Sequence, residues 1–196
     1  MMWLDDKDIV VCASKYFSVA QMRQIHQMGI HHFGENRVTD LLTKKQALND
    51  LDITFHFIGH LQRNKTKSMI NDISYLHSLD SILLAEEIQK YRNEPLDCFI
   101  QVNITEETQK NGVLAKDLNQ FLIELKKYDK IRVIGLMTIG KDEDMDATKN
   151  AFSTLEKLRV EHNLSYLSIG MSSDYLLALP YHPRFIRIGS LFKGVI

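Results

Sequence analysis

Short apolar runs alternate with stretches of helical periodicity along the whole chain. Several of the runs are apolar at successive positions, as in Ile9-Val10-Val11-Cys12-Ala13. Strands that are buried on both faces, beneath the helices of a parallel sheet, have this pattern. It predicts eight strands, at residues 9–15, 31–36, 54–60, 75–80, 96–104, 132–140, 166–172 and 184–190.

Amphipathic segments lie between the predicted strands. Residues 18–28 carry apolar side chains at helical period, and Ser18 and Gln21 have the spacing of a capping box. Residues 114–127 and 147–159 show the same periodicity. Proline is absent from all three segments, so we expect three amphipathic helices here.

The order of these elements indicates the fold class. Eight strands, each followed by a candidate helix, predict an α/β fold, a (β/α)8 TIM barrel forming a single domain over residues 1–196. The length is close to the lower limit of about 200 residues for this fold, so we expect few insertions. A doubly wound open sheet is the competing architecture, but no G-x-G-x-x-G motif follows the first strand.

Composition excludes several classes of partner. The 24 basic and 25 acidic side chains give a formal net charge of −1, with no excess to attract nucleic acid or an anionic membrane. We find no secretory signal at the start and no apolar run long enough to span a membrane. Cys12 and Cys98 lie in apolar runs without CxxC spacing, so we expect buried free thiols in a cytoplasmic protein.

Polar residues concentrate where the predicted strands end, which is where function gathers in a barrel of this kind. They are Lys15, Asn36, His60, Ser78, Asp80, Asn103, Thr138, Ser172 and the segment from Arg187 to Ser190. A lysine at the tip of a buried strand would be partly desolvated, which favours the neutral amine that Schiff-base chemistry needs. The alternative for Lys15 is a side chain that extends to solvent at the barrel rim.

The ends of the last two strands have the residues of a phosphate site. Loops after these strands often bind phosphate in barrels, through backbone N–H groups and hydroxyls. Gly170 and Gly189 would let the backbone approach an anion, and Ser172 and Ser190 would donate hydroxyl hydrogens. Turn-forming glycine and helix-capping serine are the alternative interpretation.

Arg187, three residues before Ser190, is a candidate partner for the pyridine nitrogen of pyridoxal 5′-phosphate (PLP). A guanidinium stays protonated, so it would keep that nitrogen unprotonated and weaken the cofactor as an electron sink. The alternative is a surface ion pair.

His56 and His60, which are four residues apart in a predicted strand, would share a face of that strand. No third ligand joins them in the sequence, so we expect no zinc site.

Taken together, these motifs resemble the PLP homeostasis protein family, single-domain relatives of the alanine racemase N-terminal domain. The resemblance extends from about Ile9 to Gly194. The segments that carry it are Ala13-Ser14-Lys15, Phe33-Gly34-Glu35-Asn36, His56-Phe57-Ile58-Gly59-His60-Leu61-Gln62-x-Asn64-Lys65, Gln101-Val102-Asn103-Ile104, Glu107-x-x-Lys110-x-Gly112, Gly135-Leu136-Met137-Thr138-Ile139, Ser168-Ile169-Gly170-Met171-Ser172 and Arg187-Ile188-Gly189-Ser190. Their order and spacing make the resemblance specific.

The resemblance implies a role for each candidate residue. Lys15 matches the lysine that forms the Schiff base with PLP, and Arg187 matches the arginine that faces the pyridine nitrogen. The cofactor phosphate would be held near Ser172, Gly189 and Ser190, and Asn36 would line the same mouth. All of these residues would bind the cofactor, and the resemblance implies no catalytic or metal site. Two departures are Tyr16-Phe17, where Thr-(Lys/Arg)-Pro is commoner, and Ser190, where threonine is frequent.

The resemblance also implies a non-catalytic function. Family members are regarded as carriers or buffers in intracellular PLP homeostasis, which makes PLP-dependent apoenzymes the expected recipients and a monomer the expected state. The alternative is a PLP-dependent enzyme acting on amino acids. Related racemases use a tyrosine from a second domain, whereas here six residues follow the last predicted strand, so we expect a carrier. The loop at residues 105–112, which includes Lys110, is a candidate gate for release.

Overall fold

The computed structural model describes residues 9–105, 111–141 and 143–196. Within these ranges it contains the strands β1 (Ile9–Ala13), β2 (His32–Glu35), β3 (Thr54–Phe57), β4 (Tyr75–Leu79), β5 (Leu96–Asn103), β6 (Val113–Leu114), β7 (Ile131–Met137), β8 (Tyr166–Met171) and β9 (Phe185–Ile188). The helices are α1 (Val19–Gln27), α2 (Val38–Ala47), α3 (Arg63–Met69), α4 (Ile82–Tyr91), α5 (Leu118–Leu125), α6 (Met145–Glu161) and α7 (Tyr175–Ala178).

Eight of the strands form a closed parallel barrel. β1 pairs with β2 on one side and with β9 on the other, and β4 pairs with β5. The ring therefore runs β1-β2-β3-β4-β5-β7-β8-β9 and returns to β1, while β6 adds to β5 outside it. The predicted (β/α)8 barrel is confirmed. The open sheet is wrong, because every strand of the ring has two neighbours.

The alternating direction of side chains along the strands divides the core into two parts. Val10 and Cys12 point outward and join the large cluster beneath the helices, whereas Val11 points inward and packs with Phe99, Met137 and Phe185. Both faces of β1 are therefore buried, which explains its uninterrupted apolar sequence.

The helices follow the predicted pattern with one correction. Ser18 accepts a hydrogen bond from the Gln21 N–H, and the Gln21 side chain accepts from the Ser18 N–H, so α1 begins with the predicted capping box. The helix predicted at residues 114–127 begins only at Leu118. Leu114 belongs instead to β6, where it pairs with Asn103 of β5, and a 3-10 turn, Ala115–Asp117, intervenes.

A buried ion pair joins the first two strands below the barrel mouth. The Lys44 Nζ of α2 lies 2.6 Å from the Glu35 Oε1 and 2.8 Å from the Ser14 carbonyl oxygen. The Ser14 hydroxyl donates to the same carboxylate oxygen at 2.7 Å. Glu35 is fully buried, so the pair holds the backbone immediately before Lys15 against β2.

In the part of the chain that the structure describes, no helix has the length and apolar character needed to cross a membrane. Cys12 and Cys98 are buried free thiols, as predicted.

We expect Lys44→Met to lower the free energy of unfolding by about 3–5 kcal/mol, because it leaves the Glu35 carboxylate buried without its cation. Lys45→Met is the matched control on the same helix. Its ion pair with Asp72, at 3.0 Å, is partly exposed, so its loss should cost about 0–1 kcal/mol. Denaturant unfolding measures both variants, and equal losses would contradict the structural role of the buried pair.

We also expect both thiols to be inert in the folded protein. Burial raises the pKa of Cys12 to about 12 and raises the pKa of Cys98 as well. Only the thiolate reacts, so a chromogenic disulfide reagent at pH 8 should label neither residue until the chain unfolds. Two equivalents should then react without added reductant. Rapid labelling of the folded protein, or fewer than two equivalents after unfolding, would refute this.

Candidate functional site

A cavity of about 380 Å³ lies at the carboxyl-terminal ends of the barrel strands. This volume falls within the range of about 300–1,000 Å³ that is usual for small-molecule sites. Its walls come from residues that lie within or after the carboxyl-terminal half of seven of the eight ring strands. They are Ala13, Lys15, Asn36, Ile58, Gly59, His60, Gln101, Asn111, Met137, Ile139, Met171 and Arg187.

Lys15 lies at the rim of this cavity. β1 ends at Ala13, and Lys15 occupies the following 3-10 turn, Ser14–Tyr16, as an exposed residue. Its ammonium lies 4.8 Å from the centroid of the Tyr16 ring. The expected partial desolvation is therefore wrong, because the chain turns outward before the lysine. The amine is instead accessible to a small molecule that enters the cavity.

Arg187 projects from β9 into the barrel interior and is only 5% exposed. Its Nη1 donates to the Ser168 carbonyl oxygen and hydroxyl, each at 2.6 Å, and its Nη2 donates to the Thr138 carbonyl oxygen at 3.0 Å. Burial lowers the pKa of Arg187 to about 10, and the Asp174 carboxylate opposes this shift. The interpretation as a surface ion pair is wrong, and the guanidinium is a fixed cation in the cavity wall.

Asn36 lines the cavity through a close contact between two strand ends. A Cβ at Gly59 would lie 2.5 Å from the Asn36 carbonyl oxygen, so the position after β3 requires a glycine to let the two segments approach. The Asn36 Oδ1 is buried and has no hydrogen-bond partner among the described residues. Such an oxygen fits a donor group on a ligand.

Ser172, Gly189 and Ser190 form a second polar group, close in sequence to the cavity residues Met171 and Arg187. The Gly189 N–H donates to the Ser172 Oγ at 3.0 Å, and Ser190 is exposed at the start of a 3-10 turn, Ser190–Gly194. Because the Ser172 oxygen accepts from Gly189, its hydroxyl hydrogen stays available to a ligand. The structure thus brings these three predicted residues together, beside the cavity rather than within its walls.

His56 and His60, the two histidines considered for a zinc site, lie in different parts of the structure. β3 ends at Phe57, so strand alternation does not extend to His60 and the predicted shared face is wrong. His56 is buried inside the barrel, with both ring nitrogens in hydrogen bonds to other histidines. His60 is exposed at the mouth, and its Nδ1 lies 3.1 Å from the Asp80 carboxylate.

Sequence reasoning missed three residues that shape the site. Ser168 binds Arg187, Gln101 lines the cavity, and Glu35 anchors the backbone before Lys15. Each is a polar residue at an inward or buried position of an apolar strand, which is the signal that would have found them. Lys110 and the rest of the segment 106–110, part of the predicted gate, lie outside the described residues.

Comparison of the sequence with known families and proteins identifies relatives of this chain. The family described as "Alanine racemase, N-terminal domain" matches residues 11–195. The pyridoxal phosphate homeostasis protein of Aquifex aeolicus is 37% identical over 192 residues, covering 93% of this chain and 84% of that protein. That of Pseudomonas aeruginosa is 32% identical over 191 residues, covering 94% and 83%.

Solved structures agree with the sequence relatives. PipY of Synechococcus elongatus without PLP superposes with a TM-score of 0.91 at 30% identity, covering 96% of this chain and 94% of that one. PipY with PLP bound gives 0.87 at 29%, covering 96% and 93%. The alanine racemase of Corynebacterium glutamicum, at 15% identity and a TM-score of 0.76, covers 96% of this chain and 57% of that one and shares the fold. The chain therefore belongs to the pyridoxal phosphate homeostasis protein family, built on the alanine racemase N-terminal domain.

Proposed function

We propose that this chain binds PLP in the cavity, as a Schiff base on Lys15, and acts as a carrier or buffer in intracellular PLP homeostasis. The observation that carries the proposal is the presence of Lys15 and Arg187 in the walls of one cavity. An accessible amine and a fixed cation are the groups that an aldehyde and a pyridine nitrogen require. Relatives of this chain have the homeostasis name, and one has been solved with PLP bound.

The remaining polar groups fit the rest of the molecule. The hydroxyls of Ser172 and Ser190 are suited to the phosphate, beside the strand ends at which barrels commonly bind this group. The unpartnered Oδ1 of Asn36 would accept a hydrogen bond from the ligand. When bound, PLP supplies an aldehyde that condenses with amines and an electron-withdrawing ring.

Arg187 has donors that could bind the ring nitrogen of the cofactor. Three of its five N–H groups are bound to Ser168 and Thr138, which leaves two without a partner among the described residues for a ring nitrogen. A cation at that position would keep the nitrogen unprotonated and weaken the ring as an electron sink.

The composition of the cavity walls favours a carrier over an enzyme. Racemisation needs an acid or base on each side of the substrate. Among the described residues that line the cavity, Lys15, His60 and Arg187 have ionisable side chains; His60 is paired with Asp80, and Arg187 is held by Ser168 and Thr138. We propose PLP-dependent apoenzymes as recipients; a monomeric state and a cytoplasmic location remain predictions.

We expect borohydride reduction of the PLP-incubated protein to leave a pyridoxyl group on the Lys15 peptide, identified by peptide mass mapping. Lys15→Ala should abolish this adduct while the barrel stays folded, as judged by circular dichroism. Lys193→Ala is the matched control, because its ammonium lies 4.6 Å from the same Tyr16 ring. An adduct that persists in Lys15→Ala, or one spread over surface lysines, would refute the assignment.

The racemase alternative has its own test. Chiral chromatography of L-alanine incubated with the PLP-loaded protein should show no formation of the D-enantiomer above that with free PLP. Catalytic conversion that disappears in Lys15→Ala would replace the carrier proposal with an enzymatic one.

A further inference from the structure

Five polar side chains form a continuous hydrogen-bonded column through the barrel interior. The Arg187 Nη1 donates to the Ser168 Oγ at 2.6 Å, and this oxygen lies 2.7 Å from the His77 Nδ1. The His77 Nε2 lies 2.8 Å from the His56 Nδ1, and the His56 Nε2 lies 2.9 Å from the His32 Nδ1. The column crosses β9, β8, β4, β3 and β2.

The column lies in an otherwise apolar space. His56, His77 and Ser168 are fully buried, whereas His32, at the first residue of β2, is partly exposed. The Phe185 ring contacts the rings of all three histidines, with centroid distances between 4.9 and 6.1 Å. Polar atoms in such a place need hydrogen-bond partners, so the contacts along the column constrain one another.

Counting the available hydrogens shows that all the hydrogen bonds of the column run in one direction. The Ser168 hydroxyl accepts from Arg187, and its own hydrogen then needs an acceptor; among the described residues, His77 Nδ1 is the one within range. Since a neutral imidazole has one N–H, accepting at Nδ1 places the hydrogen of His77 on Nε2. That N–H donates to His56 Nδ1, and His56 in turn donates to His32 by the same rule.

The opposite direction leaves a group unsatisfied. If His77 donated from Nδ1, the Ser168 oxygen would accept from two donors, and its hydroxyl hydrogen would have no acceptor among the described residues. A buried donor without a partner costs about 1–3 kcal/mol. The forward direction satisfies every buried member and also lets the guanidinium charge polarise each bond that follows.

Neutral histidines are consistent with this arrangement. Burial lowers the pKa of His56 well below its usual range, and the neighbouring His77 and His32 lower it further. Burial likewise lowers the pKa of His77, with a second contribution from Arg187. The pKa of His32 is lowered by burial and then by Arg184 and His31, while Asp52 opposes the shift.

We propose that Ser168 and His77 are positioning residues for Arg187, and that the one-way column through His56 to His32 fixes the guanidinium in the cavity wall. Ser168 supplies two of the three acceptors that hold Arg187. Because the Ser168 hydrogen is committed to His77, the hydroxyl always presents a lone pair to the guanidinium. The effect on the cofactor rests on the proposed function, whereas the direction of the column does not.

The first test uses the protein without cofactor. Long-range ¹H–¹⁵N correlation spectra distinguish the two neutral histidine tautomers, and the loss of a signal in His56→Asn and His77→Asn assigns each residue. We expect His56 and His77 both to be neutral with the hydrogen on Nε2. A hydrogen on Nδ1 of either ring, or a protonated ring at pH 7, would overturn the column.

The second test follows PLP. We expect Ser168→Ala and His77→Phe each to weaken PLP binding by about tenfold or more, as for the loss of a hydrogen bond to a charged group, and to shift the absorption maximum of the bound cofactor. Thr148→Val, which removes a buried hydroxyl in α6, is the control and should change neither. Because the two residues act in series, the double variant should lose little more than either single variant.

The outcomes separate the two proposals. If Ser168→Ala binds PLP with wild-type affinity and spectrum, the positioning role is overturned while PLP binding at Lys15 stands. If the wild-type protein binds no PLP, the proposed function falls, and the tautomer spectra still decide whether the column exists. Additive losses of PLP affinity in the double variant would show that Ser168 and His77 act independently. That result would also overturn the positioning role.

Discussion

The pairing between β1 and β9 is the interaction on which the rest of the structure depends. It joins Ile9 to Phe185 and Cys12 to Ile188, and so turns a sheet into a closed ring. Because all the ring strands are parallel, closure brings their carboxyl ends to one mouth, where Lys15 from the first strand meets Arg187 from the last. Residues more than 170 positions apart thus share a cavity through backbone pairing alone.

Much of this architecture could be predicted from the sequence, because it depends on local patterns. Apolar runs gave the eight ring strands, and the polar residues that end them gave Lys15, Asn36 and Arg187. The boundaries were less accurate. The predicted strands are too long at the mouth, where residues such as His60 keep an extended sequence pattern but lie beyond the last paired residue of the strand. The predicted helix includes Leu114, because a two-residue strand has no periodicity to detect.

The interior of the barrel could not be predicted in this way. His77 and Ser168 are separated by 91 residues, and nothing in either local sequence indicates the partner. Glu35 likewise reads as part of a motif, but its burial depends on Lys44 from the following helix. The contact between His77 and Ser168 is set by the stagger between strands, which brings inward-facing residues of non-adjacent strands to the same level. Glu35 meets Lys44 because α2 packs on the outside of β2. The sequence indicated which residues are polar, and the closed ring decided which of them touch.

A closed barrel also governs how copies of the molecule can meet. Open sheets end in rows of unpaired N–H and C=O groups, which can recruit a strand from another chain and begin aggregation. Within the described ranges, the two-residue β6 is the one strand that has a partner on a single side. Strands as apolar as β1 are therefore shielded from intermolecular pairing, and any association between copies would have to use helix surfaces and loops.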